Sequence, residues 1–133
     1  MFPIMPLDQS VPDVFLIDDD EEIRLSTAAL LNPQGISVIQ FDSAEDFLSR
    51  TDNTIRGCVI SDFQMEGELN GIDLLKIMRV GGYQLPVVLV SGSLKKSDQA
   101  DAIASGAYAV IEKPYPPQFL LETVKKALNE PGT

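Results

Sequence analysis

Apolar positions along the chain fall into two kinds of block. Short apolar runs rich in β-branched residues recur at Val14–Ile17, Ile36–Phe41, Cys58–Ser61, Pro86–Val90 and Ala107–Ile111. Turn-forming residues bound them, so they read as buried strands. Between them lie longer segments with apolar residues at helical spacing. Glu21–Leu31 carries Ile23, Thr27, Leu30 and Leu31 on one face and stops at Asn32-Pro33. Ser43-Ala44-Glu45-Asp46 has the form of a capping box and opens a short helix to about Arg50. Ile72–Arg79 reads as a helix ended by Gly81-Gly82. Leu94–Ser105 is an alanine-rich helix closed by Gly106. Pro117–Asn129 places Leu120, Val124, Ala127 and Leu128 at core spacing. Pro86–Val90 is the most apolar strand, and this places it at the centre of the sheet.

Strand and helix therefore alternate five times. With short connections and right-handed crossovers, the fold class is α/β: a doubly wound, five-stranded parallel sheet with helices on both faces. The chain has 133 residues, enough for one domain that buries roughly two-thirds of its unfolded surface. Pro3, Pro6 and Pro12 mark residues 1–12 as an irregular arm. The domain is expected over 13–129. Residues 130–133 read as the start of a linker or a free end.

Charge and composition narrow the functions. Twenty acids against ten Lys and Arg give a net charge of −10, a poor surface for direct contact with nucleic acid. No apolar run approaches a membrane span, and residues 1–11 lack the pattern of a signal peptide. The single cysteine, Cys58, sits in an apolar run, reads as a buried inert thiol and suits a reducing cytoplasm. The chain has no histidine, which excludes His-based catalysis, His metal ligation and a phosphohistidine on this chain.

The strand ends carry the chemistry. The first strand runs into Asp18-Asp19-Asp20, and the third ends at Asp62. Open α/β sheets place their ligand sites at these carboxyl ends. Asp18, Asp19 and Asp62 would aim like charges into one crevice, which calls for a cation or a proton between them. Hard carboxylate oxygens with phosphate oxygens and water suit Mg²⁺. Asp is also a nucleophile able to form an aspartyl phosphate. The fourth strand ends on Ser91-Gly92, a hydroxyl beside a residue with no side chain, and the fifth leads to Lys113-Pro114, a cation. A phosphoryl group on Asp62 needs such donors and charge around it. Taken singly, each piece has a plainer reading: a helix cap at Asp18–Asp20, a loop acid at Asp62, a turn at Ser91-Gly92, a solvated charge at Lys113. Their joint occurrence favours the functional one.

These motifs are those of a known family. Asp18-Asp19-Asp20-Glu21-Glu22-Ile23-Arg24, Ser61-Asp62-Phe63-Gln64-Met65, Val90-Ser91-Gly92 and Glu112-Lys113-Pro114-Tyr115 together resemble the receiver domain of two-component response regulators, over about Val14–Leu128. The resemblance implies a flavodoxin-like sheet of order 2-1-3-4-5. It makes Asp62 the phosphoacceptor, Asp18 and Asp19 the acidic pair, and the Gln64 carbonyl a further Mg²⁺ ligand. Ser91 becomes the switch hydroxyl and Lys113 the phosphate partner, with a cis bond before Pro114. It also implies a sensor histidine kinase or phosphotransfer protein as donor. A downstream output protein or domain, and a homodimer through the 94–128 surface that carries Lys95, Lys96, Lys125 and Lys126, are further expected partners. Such a chain is a cytoplasmic phosphoacceptor switch, not an enzyme beyond the Mg²⁺-dependent chemistry of its own aspartate.

Three positions depart from the family pattern. Glu66 stands where Pro is usual, the loop from Asp62 to Gly71 is one residue longer than the common form, and Val110 occupies the place of a switch aromatic. Tyr108 lies two residues earlier on the same strand face and is a candidate substitute. An alternative function is a receiver-like protein-binding module that works without phosphorylation. An aspartyl phosphatase of the haloacid dehalogenase type is disfavoured, because Gln64 stands where its second Asp belongs.

Overall fold

Consecutive residues of the first strand point into different apolar clusters, the signature of a strand buried on both faces. In the computed structural model, which describes residues 13–65 and 67–129, Phe15 and Ile17 join one cluster while Val14 and Leu16 join the other. The same alternation holds for Val59 against Cys58 and Ile60, and for Val87 and Leu89 against Val88 and Val90. The elements are β1 (Val14–Ile17), α1 (Glu21–Leu31), β2 (Val38–Phe41), α2 (Ala44–Arg50), β3 (Cys58–Asp62), α3 (Gly71–Val80), β4 (Val87–Ser91), α4 (Lys96–Ala104), β5 (Ala109–Glu112) and α5 (Pro117–Leu128). A short 3-10 turn, Asn32–Gln34, follows α1 where Pro33 was expected to stop it. All strands are parallel, in the order β2-β1-β3-β4-β5. Leu31 of α1 and Leu120, Leu121 and Val124 of α5 cover one face. Phe47 of α2, Leu74, Leu75 and Met78 of α3, and Ala102 of α4 cover the other.

The most apolar strand, β4, is an interior strand as expected, although it is not the middle one. β3 holds that place, and β4 lies between β3 and β5. Every β4 residue is buried, so its apolarity records two covered faces and two paired edges. It does not record rank in the sheet. The expectations for the 1–12 arm, Glu66 and the 130–133 tail fall outside the described residues. No helix among the described residues is long and apolar enough to cross a membrane.

Local signals explain where the helices begin. Asp20 caps α1, its carboxylate accepting from Glu22 N–H at 2.9 Å and Ile23 N–H at 3.3 Å. Ser43 caps α2 through Asp46 N–H at 2.9 Å, as its sequence pattern suggests. A reciprocal capping box forms at α3, where Asn70 and Asp73 each accept from the other's N–H. By contrast, α4 begins at Lys95, whose side chain makes no cap. At its far end α4 is tied down. Ala107 N–H reaches Ala102 O at 3.0 Å. Arg79 of α3 donates to Tyr83 O at 3.1 Å, Leu85 O at 3.2 Å and Gly106 O at 3.2 Å. One guanidinium thus joins the end of α3, the approach to β4 and the turn after α4.

Candidate functional site

The parallel register brings the polar strand ends to one rim. Asp62 is the last residue of β3 and pairs with Val90, one residue before Ser91. Ser91 in turn pairs with Glu112, the residue before Lys113. Lys113 N–H donates to Ser91 O at 2.7 Å, which fixes where the lysine stem leaves the sheet. The Lys113-Pro114 bond is cis, as expected. The Lys113 ammonium lies 3.8 Å from Asp62 Oδ1. One carboxylate oxygen from each of Asp18, Asp19 and Asp62 lies within 4.8 Å of the others. The structure therefore gathers the three acids and the lysine. Ser91 stands beside them, fully buried, its Oγ accepting from Ser93 N–H at 3.1 Å. A Cβ added at Gly92 would meet only the Lys113 side chain, at 3.9 Å, so the rim is open there.

The acids differ in their surroundings. Asp18 is buried and its Oδ1 accepts from Asp20 N–H at 2.9 Å. Burial raises its pKa to about 6; the neighbouring charges of Asp62 and Asp19 add to that rise, while the Asp20 hydrogen bond and the Lys113 charge oppose it. Asp62 is also raised, chiefly by burial, against the opposing pull of Lys113 and of the Gln64 and Phe63 N–H groups. Asp19 is exposed. Tyr115 is half-buried beside the crevice, its hydroxyl pKa raised by burial and by the charges of Asp18 and Asp62. Carboxyls that ionise reluctantly in isolation hold their charge when a cation joins them. The donor set is all hard oxygen, with no His or Cys, and fits a hard divalent cation.

The plainer reading is true of Asp20, which is a helix cap, and leaves Asp18 and Asp19 for the crevice. Gln64 is exposed, with its N–H directed to the Asp62 carboxylate. Tyr108 precedes β5 and is about a third exposed, whereas Val110 packs half-buried against the α3 side of the core. Cys58 is buried, and burial pushes its thiol up to about 12, an inert group as its neighbours suggested. A hollow of about 600 Å³, lined by Asn53, Arg56, Gly57, Leu85, Pro86 and Leu128, opens at the opposite ends of the strands. It is remote from the acids, so size and chemistry point to different places, and chemistry decides.

Two contacts were not foreseen. Arg24 Nη1 donates to Asp18 O at 2.6 Å. Gly71 packs so tightly under the crevice that a Cβ there would lie 2.7 Å from Asp62 O and 3.0 Å from Phe63 Cα. Arg24 belongs to the first sequence motif, which was the one available signal; nothing local marked Gly71.

Comparison with known proteins agrees with this geometry. Residues 14–125 match the model of the response regulator receiver domain. The chain belongs to that family. It is 35% identical over 115 residues to the transcriptional regulatory protein TdiR of Thauera aromatica, covering 86% of this chain and 50% of that one. It is 33% identical over 121 residues to the transcriptional regulatory protein FixJ of Azorhizobium caulinodans, covering 91% of this chain and 56% of that one. The chain thus spans about half the length of these curated relatives. Among solved structures, a receiver domain protein from Methanospirillum hungatei JF-1 superposes with a TM-score of 0.81 at 26% identity, over 90% of this chain and 95% of that one. The five-stranded order and the paired helical layers are those of a receiver domain of two-component response regulators.

Proposed function

We propose that Asp62 is the phosphoacceptor of this receiver domain, that Asp18, Asp19 and Asp62 with the Gln64 carbonyl hold Mg²⁺, and that Ser91 and Lys113 respond to the phosphoryl group. The observation that carries this reading is one carboxylate at the end of the middle strand, 3.8 Å from an ammonium and within 4.8 Å of two further acids. A phosphohistidine on a sensor kinase or phosphotransfer protein supplies the group. An Asp62 oxygen attacks phosphorus, a P–O bond forms, the P–N bond breaks, and the partner's imidazole takes up a proton. Bound Mg²⁺ supplies positive charge that offsets the anions meeting in the crevice. Lys113 offers an ammonium already aimed at Asp62, and Ser91 a hydroxyl on the same residue whose carbonyl anchors the Lys113 N–H. Gly92 leaves the approach open.

Transfer exchanges the Asp62–Lys113 ion pair for a contact between Lys113 and a doubly charged group. A charge-assisted contact of roughly 1.5–3 kcal/mol changes a two-state population ratio about ten- to a hundred-fold. The surface at 94–128 is the segment that would carry that change to an output domain, an output protein or a second copy. TdiR and FixJ are transcriptional regulatory proteins, which supports an output outside these residues and a cytoplasmic setting.

Incubation with Mg²⁺ and a small acyl phosphate should add one acid-labile phosphoryl group, read by intact mass. Asp62→Asn should abolish it, and labelling that persists in that variant overturns the assignment. Calorimetry should show Mg²⁺ bound much more weakly by Asp19→Ala.

A further inference from the structure

We infer that Arg24 is a positioning residue for the acidic loop: it hangs the Asp18 carbonyl from the neighbouring strand and so sets the affinity of the crevice for its cation. The inference rests on the Mg²⁺ reading above and adds a residue to it. Arg24 lies on α1, yet its side chain runs back past the start of its own helix. Nη1 donates to Asp18 O at 2.6 Å, and Nε donates to Gln40 Oε1 on β2 at 3.3 Å. The chain has 20 acids, yet these two hydrogen bonds of Arg24 go to neutral oxygens. The guanidinium is used here for its shape: a rigid fork that reaches two acceptors at once, which an ammonium on a flexible stem does not reproduce.

Asp18 is held at three points. Its N–H donates to Phe41 O at 3.1 Å, its carboxylate accepts from Asp20 N–H at 2.9 Å, and its carbonyl accepts from Arg24. Two of the three ties lead to β2, through Phe41 directly and through Gln40 by way of Arg24. This matters because three carboxylates within 4.8 Å repel, and two of them sit on this one loop. An untied loop would spread them and would have to be drawn together each time the cation bound. A tied loop has already met that ordering cost in folding. Groups that orient metal ligands from outside the coordination shell commonly alter affinity by ten- to a hundred-fold.

The test measures Mg²⁺ affinity by calorimetry and, separately, urea unfolding in chelator. It uses wild type, Arg24→Ala, Arg24→Lys and Gln40→Leu. Gln40 is tied to the Arg24 side chain through its own side-chain oxygen, so Gln40→Leu keeps the question open to measurement even if Arg24→Ala folds poorly. Arg24→Ala should weaken Mg²⁺ on the order of tenfold. Arg24→Lys, which cannot span both acceptors, and Gln40→Leu should each weaken it less, in the same direction. A purely structural arginine would lower the urea midpoint and leave Mg²⁺ affinity untouched; that result, in variants that remain folded, overturns the inference. Wild type that binds no Mg²⁺ would instead overturn the cation reading on which it stands.

Discussion

The two sides of the crevice are built to different standards. On the acid side, α1 has a carboxylate cap with two hydrogen bonds, acids in its first turn to meet the helix dipole, and a loop held from β2. β1 and β3 are almost wholly buried. On the other side, α4 starts without a side-chain cap and buries a single residue, Ala102. Ala109 and Val110 of β5 are only half-buried. Helices draw most of their stability from packing and caps, so α4 is the weaker element. Chemistry needs fixed ligands, and a switch needs an element whose two placements differ by little. The protein separates these demands across one sheet.

The sharpest probe of the acid side is the cost of burying the Asp18 charge, to which its acidic neighbours add. Asp18 has a pKa near 6 in the fold against 3.8 in its absence. The folded state therefore binds the proton more tightly, and its stability falls as pH rises from about 4 through 6. At about 1.4 kcal/mol per unit, the loss is on the order of 3 kcal/mol. In chelator above pH 7, Asp18→Asn should be more stable than wild type by up to that amount, the gap closing towards pH 4 in urea titrations. An unchanging gap would show that the carboxyl is not strained.

Next in size is Gly71→Ala. Its methyl would press on the backbone of Asp62 and Phe63, which cannot swing aside, and on the Leu89 side chain. A loss of about 1–3 kcal/mol is expected, together with slower phosphorylation as the end of β3 shifts.

The caps test the comparison directly. Asp20→Ala should cost about 1 kcal/mol by urea unfolding. Lys95→Ser should do the reverse on α4, adding about 0.5–1 kcal/mol, and should shrink the NMR shift changes across 94–128 when beryllium fluoride mimics the phosphoryl group. Equal response in wild type and Lys95→Ser would mean that the loose N-terminus of α4 has no part in switching.

The smallest effect belongs to Lys76 and Asp101, an ion pair 3.4 Å apart with both side chains about half exposed. Asp101→Ala should change stability by less than about 0.5 kcal/mol, and less still in high salt.

Much of the frame was legible in the chain because it rests on local signals. α1 begins and ends where Asp20 and Asn32-Pro33 place it, and β1 matches its apolar run to the residue. Boundaries slipped where tertiary contacts compete with pattern. Leu94 packs against the core outside α4, and Ala107 N–H still serves Ala102 of α4, so α4 is shorter and β5 starts later than their apolar limits. The candidate site was legible because four strand ends carried complementary groups: carboxylates on β1 and β3, a hydroxyl on β4 and an ammonium on β5. Arg24, Gln40 and Gly71 were not, since their importance lies in partners 6, 16 and 9 residues away in the chain. The spacing of a carbonyl from a guanidinium is set by the fold, and no periodicity encodes it.

The Arg79 clamp has a mechanical consequence. With Gly106 held to α3 at one end and no side-chain cap at the other, α4 is a lever with its fulcrum at its C-terminus. Its nine residues span about 13 Å at 1.5 Å each. A tilt of roughly 10° leaves Gly106 in place yet carries the Lys95 end through about 2 Å, more than half the rise of a strand residue. The long arm of that lever ends four residues along the chain from Ser91, so a small pull at the crevice would become a displacement of the helix surface, least near Ala102 by the fulcrum.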